Sequence, residues 1–144
     1  MKYRIEDKYV FMTLDPGDEI NKTFEDFALS KGIGSSWING IGAIENPEIG
    51  YYSVEEKKYY KKIFTGEFEI TSLIGNITIK DGQPYSHTHI TFSDINFKVY
   101  GGHLFNANVS AAGEFMLYLG DKDIGRKMND GIGLPLWCME SSCD

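Results

Sequence analysis

The chain has 144 residues and a mass of 16.3 kDa, and its 42% hydrophobic and 24% charged content excludes wholesale disorder in favour of one globular domain with a real core. A net charge of −7 and a pI near 4.9 oppose nucleic-acid binding, which draws most of its affinity from a basic face. No apolar run approaches the ~18 residues of a membrane span, and Glu6 and Asp7 interrupt the N-terminus where a secretory signal needs apolar residues. The expected location is therefore the cytoplasm, with Cys138 and Cys143 read as tail thiols.

The elements follow in chain order. Tyr3–Leu14 alternates imperfectly and reads as a first strand. Asp15-Pro16-Gly17-Asp18 breaks it, and Asp18 suits a helix N-cap. Ile20, Phe24, Phe27 and Ala28 then recur at helical spacing until Gly32 and Gly34, predicting one amphipathic helix over roughly 19–31. Ser36–Ile44 is apolar and Gly-rich, as a buried strand or two passing close to another backbone would be. Strands are expected at 49–54, 59–64, 67–73 and 76–79, the last meeting the hairpin signal Asp81-Gly82. Four more, at 86–92, 97–100, 104–109 and 114–119, complete a strand-dominated second half. Residues 120–144 form a tail whose apolar patch, Leu134–Met139, must pack on the domain or on a neighbouring subunit.

All three histidines fall between positions 87 and 103. On a strand, His87 and His89 project to one side, roughly 6–7 Å apart at Cα, while Thr88, Ile90 and Phe92 face the core. A turn at 93–96 and a returning strand bring His103 beside them, and Gly101-Gly102 permits the close approach. Three imidazoles suit a zinc ion and leave a fourth position open, the arrangement of catalytic zinc; they also suit solvated or hydrogen-bonded structural histidines. A catalytic site needs an acid or base as well, and Glu67 and Glu69 share one face of their strand. Glu69 is the candidate acid or base, with an exposed strand carboxylate as the alternative, and Glu67 reads as an exposed carboxylate that keeps an edge soluble. The basic run Lys57, Lys58, Lys61 and Lys62, interleaved with Tyr59 and Tyr60, reads as a solvated hairpin.

The ordered set Leu14-Asp-Pro-Gly17, Gly40-Ile-Gly-Ala43, Gly50-Tyr-Tyr, Gly66-Glu-Phe-Glu-Ile70, His87-Thr-His89 and Gly101-Gly-His-Leu104 resembles the PPC domain, the "plants and prokaryotes conserved" family. The resemblance implies an α+β fold, a mostly antiparallel sheet curled toward a barrel with one flanking helix, and assembly into a homotrimer. It also implies that His87, His89 and His103 bind a metal, with Zn²⁺ as the cofactor. Plant members carry Arg-Gly-Arg-Pro segments that enter the DNA minor groove; none occurs in these 144 residues, and the family often has Arg at the position of Glu67. The fold is also similar to that of α-acetolactate decarboxylase, by analogy with which zinc would bind a small oxyacid and Glu69 would donate a proton. Against that role, the sequence positions no arginine to bind a carboxylate: Arg4 and Arg126 lie in the terminal segments, although a neighbouring subunit could supply Arg126.

The resulting expectation is a single-domain, cytoplasmic homotrimer with a three-histidine zinc site and a binding or regulatory role. Direct DNA binding is disfavoured by charge despite the family's DNA-binding label. The alternative is a zinc-dependent lyase acting on a small oxyacid.

Overall fold

The computed structural model describes residues 1–139. Among the described residues nine strands and one helix follow in the order β1 (Lys2–Glu6), β2 (Tyr9–Leu14), α1 (Ile20–Lys31), β3 (Ser36–Ser53), β4 (Lys58–Ile63), β5 (Glu67–Lys80), β6 (Gln83–Ser93), β7 (Val99–Leu119), β8 (Gly125–Asn129) and β9 (Leu134–Cys138). Pairing is antiparallel except for one short parallel bridge between β5 and β8. The strands β3, β5, β6 and β7 each pair with the next, and β7 with β3, so the sheet curls into a partial ring beside α1.

Several expected strands merge, and one splits. Tyr3–Leu14 divides into β1 and β2 at a turn where Asp7 takes φ 54°. The three segments expected between 97 and 119 are one strand, β7, and those at 36–44 and 49–54 are one strand, β3. Bulges near Gly42 and Pro47 bend β3 without ending it, which local punctuation cannot distinguish from two strands. Asp18 does not cap the helix: the N-cap position is Glu19, while the Asp18 carboxylate accepts from Asp15 N at 2.9 Å and pairs with the Met1 ammonium at 3.0 Å. Gly32, at φ 63°, closes the other end, where its left-handed turn costs little.

Rungs across the sheet show how alternation sorts the side chains. Val10, Leu117, Ile38, Gly75 and Thr88 stand in register on five successive strands, and all are buried. Helix α1 covers this face with Ile20, Phe24, Phe27 and Ala28, and burying each Phe contributes about 2–3 kcal/mol. The adjacent rung points the other way. Phe11, Met116, Asn39, Ile74, His89 and His103 follow one another across β2, β7, β3, β5, β6 and the near half of β7. The histidines thus stand on the sheet face opposite the helix, at one end of an exposed apolar row.

Candidate metal centre

His87 and His89 project from β6 as alternation requires, with Ser86, Thr88, Ile90 and Phe92 buried behind them. His103 is the register partner of His89. Ring centroids lie 5.2 Å apart for His87–His89, 5.1 Å for His87–His103 and 5.5 Å for His89–His103. One nitrogen from each ring lies within 4.8 Å of the others. Small displacements would bring three such nitrogens to the ~2.0–2.1 Å bonds of a zinc–imidazole site.

The helix fixes the two strands from inside. Asn21 of α1 accepts a hydrogen bond from Thr88 Oγ1 at 2.7 Å and donates Nδ2 to Leu104 O at 3.0 Å. Each partner adjoins a histidine, so one buried amide sets the separation of β6 and β7. Glu25 adds a second tie, accepting from Ser86 N at 2.9 Å and Oγ at 3.0 Å. Sequence reading passed over both; a polar Asn on the apolar stripe of α1 was the available signal. Glycine supplies the space: a Cβ on Gly102 would sit 2.8 Å from Gly50 O on the facing strand. The expected close approach at Gly101-Gly102 is therefore present.

The surroundings are apolar and cationic. Tyr59 of β4 and Phe105 pack on His103, at centroid distances of 5.1 and 4.7 Å. Burial pushes the His103 imidazole down to about 4, helped by His87, His89, Lys61 and Arg126. Burial, then Arg126 and His89, likewise push His87 down to about 4, and burial lowers His89. All three rings are neutral at pH 7, the form that offers a lone pair to a metal. His103 is 7% exposed and its Nδ1 has no hydrogen-bond partner, a cost a folded protein rarely leaves standing. Three neutral imidazoles, one of them with an orphaned nitrogen, fit a borderline-soft divalent ion of the zinc type.

Residues 120–139 bring Arg126 to the centre from its own chain, a position the sequence did not signal. Strands β8 and β9 form a hairpin folded onto this same chain, tied by Tyr52 Oη to Ile132 O at 2.7 Å and by Lys57 Nζ to Asp130 O at 2.6 Å. Arg126 then reaches the centre within one chain. Its Nε donates to Thr78 Oγ1 at 2.6 Å, Nη1 to Pro135 O at 2.9 Å and Nη2 to Asn76 Oδ1 at 2.9 Å, leaving Nη2 3.4 Å from His87 Nδ1. Trp137 Nε1 also donates to Asn76 Oδ1, at 3.3 Å. No local pattern in a Gly- and Asp-rich segment signals such a contact over 39 residues.

Glu69 is not brought to the histidines. It is exposed, and its register partner is Ser93, whereas His89 pairs with Ile74 five residues along β5, about 16 Å away by the strand rise. The fold separates them because the strand that carries Glu69 runs its length before it meets His89. Within one chain Glu69 and the three imidazoles therefore do not share a site. Glu67 lies at the same exposed end, and the four lysines of the β4 hairpin are exposed as expected. Cys138 ends β9 and is disulfide-bonded rather than a free thiol; Cys143 lies outside the described residues.

The fold and the imidazole cluster define a small α+β domain with a candidate metal centre on its sheet face. The chain belongs to the Plants and Prokaryotes Conserved (PCC, or PPC) domain family, whose model matches residues 1–121. Among solved structures it is similar to a metal-containing protein from Archaeoglobus fulgidus, with 38% identity over 96% of this chain and 99% of that one and a TM-score of 0.85. It is similar also to a plant- and prokaryote-conserved protein of Pyrococcus horikoshii, with 34% identity over 94% of each chain and a TM-score of 0.84. A protein of Bacteroides thetaiotaomicron, provisionally described as DNA-binding, matches with 33% identity over 95% and 96% of the two chains and a TM-score of 0.91. α-Acetolactate decarboxylase of Bacillus subtilis shares the fold alone, at 16% identity, a TM-score of 0.52 and 76% of this chain over 51% of that one. No curated protein matches the chain. Among the described residues no helix is long and apolar enough to cross a membrane.

Proposed function

We propose that this protein is a cytoplasmic homotrimer that binds zinc through His87, His89 and His103 and serves a binding or regulatory role. The observation that carries the reading is the convergence of three neutral ring nitrogens within 4.8 Å, one of them buried without a partner. Such a site holds the ion with one position open to a small ligand. The metal content of the Archaeoglobus relative supports it. The test is the metal content of untagged protein beside His89→Ala. About one zinc per chain, lost in the variant, is the expected result; no stoichiometric metal in the wild type would make the histidines structural.

Trimerisation draws support from the exposed apolar row that ends at the histidines and from a second exposed rung on the same face, Tyr9, Tyr118 and Trp37 in mutual register. Light scattering should give three times the 16.3 kDa chain mass. The DNA-binding description of the Bacteroides relative transfers poorly to a chain of net charge −7. A salt-titrated assay on duplex DNA should show no affinity at low salt.

A zinc-dependent enzyme acting on a small oxyacid is the second reading. Arg126 favours it, since a guanidinium beside the imidazoles is what a carboxylate ligand needs. With Glu69 distant, the proton donor of that reading has no candidate on this chain's β5, so binding stands first. Zinc-dependent turnover of any member of a panel of 2-hydroxy and 2-oxo acids would reverse the order.

A further inference from the structure

The β8–β9 hairpin is held on the sheet by side chains more than by its backbone. Among the described residues its backbone meets the sheet at a single bridge, Ile79 with Gly125, next to which Ile79 N donates to Ile124 O at 2.8 Å. Side chains add the Tyr52 and Lys57 bonds to its tip, the Trp137 bond to Asn76, and the Arg126 fork on Thr78 and Asn76. Met128, Leu136 and Trp137 stay exposed. A segment attached in this way opens at a lower free energy than a continuous ladder such as β5–β6.

The fork stands where a ligand bound by His87 must disturb it. A neutral imidazole carries one lone pair and one N–H. Arg126 Nη2, a donor only, lies 3.4 Å from His87 Nδ1, a contact that attracts only while Nδ1 holds the lone pair. A metal bound at Nδ1 would take that lone pair from the guanidinium. A metal bound at Nε2 would leave the proton on Nδ1, facing the N–H groups of Arg126. Whichever nitrogen serves, the attraction is lost and a cation is left beside a dication. The planar guanidinium has little room to turn away alone: it stacks over the Tyr85 ring, 5.2 Å from the centroid, and its Nε is bonded to buried Thr78. Its Nη1 is bonded to Pro135 O of β9, so the fork and the hairpin move together.

We infer that the β8–β9 hairpin is a metal-responsive latch, docked through Arg126 while the histidines are metal-free and released when His87 takes an ion. The inference rests on the zinc reading above and adds a regulation of that site. Coupling of this kind is reciprocal: the factor by which docking weakens zinc binding is the factor by which zinc weakens docking. Release bares the Asn76 and Thr78 side chains of β5, both buried under the docked hairpin. The chain then presents one surface with the ion and another without it, as a binding or regulatory role requires.

Amide hydrogen exchange read by mass spectrometry on the full chain, metal-free and zinc-saturated, tests the latch. Exchange in peptides from 125–138 should speed up about 10-fold with zinc, within the usual range of coupling between sites, while β6 keeps its protection. Arg126→Gln should abolish that acceleration. About one zinc per chain with hairpin exchange unchanged or slowed overturns the latch and leaves the metal site standing. An Arg126→Gln hairpin that still loosens with zinc overturns the part given to Arg126. A wild-type chain that takes up no zinc overturns the metal reading, and the latch with it.

Discussion

Midway along the β5–β6 ladder, His87 and His89 stand beside Asn76 and Ile74, with His103 across from them and the β8–β9 hairpin folded over the neighbouring rung. At the end of the ladder, Glu69 faces Ser93, and the carboxylate opens to water beside the exposed Asp94–Lys98 turn. Both stretches place ionisable side chains on adjacent strands at similar spacing. What separates them is cover: Tyr59 and Phe105 pack on His103 and Arg126 lies beside His87, whereas Glu67 and Glu69 are exposed. Burial pushes the histidines down into their neutral form, so that stretch is tuned for a ligand. Spacing along strands therefore identifies which residues can meet, and cover decides which of them do chemistry.

The sharpest way to break this contrast is to remove an imidazole. His103→Ala should weaken zinc binding by more than about 100-fold, beyond the 10–100-fold typical of losing a residue that only supports a ligand. Chelator competition measures it, and an unchanged affinity would sink the triad. A second probe is pH. The folded-state values of all three histidines lie below the unfolded 6.5, so the unfolded chain binds protons that the folded chain refuses. Metal-free stability should be full above about pH 6.5 and fall steadily toward about pH 4; a flat denaturation midpoint between pH 7 and 5 would show that the rings are not shielded.

A smaller effect is expected at Arg126. Its guanidinium lies 3.4 Å from His87 Nδ1, where it repels a dication and competes for the ring's lone pair. Arg126→Gln should tighten zinc binding by up to about 10-fold. The same change should cost about 1–3 kcal/mol of stability, because it strips donors from buried Thr78 and Asn76. Weaker zinc binding in the variant would assign Arg126 the opposite role. Least of all should change with Glu69→Gln, which should leave zinc content unaltered and stability within about 0.5 kcal/mol. Loss of metal there would mean that a second copy carries Glu69 to the histidines.

Much of this molecule was written locally. Periodicity at Ile20, Phe24, Phe27 and Ala28 gave the helix, Asp81-Gly82 gave the tight hairpin, and alternation placed His87 and His89 on the face away from Thr88 and Phe92. Even the return of His103 could be read, because one short turn joins its strand to theirs. Those signals depend only on backbone geometry over a few residues, which sequence spacing records. The Arg126 contact, the Asn21 clasp on Thr88 and Leu104, and the separation of Glu69 could not be read, because each is set by how distant strands stack and shift at bulges. The chain alone determined which side chains share a strand face; only the packed sheet decided which faces are covered, and burial is what turns three histidines into a site.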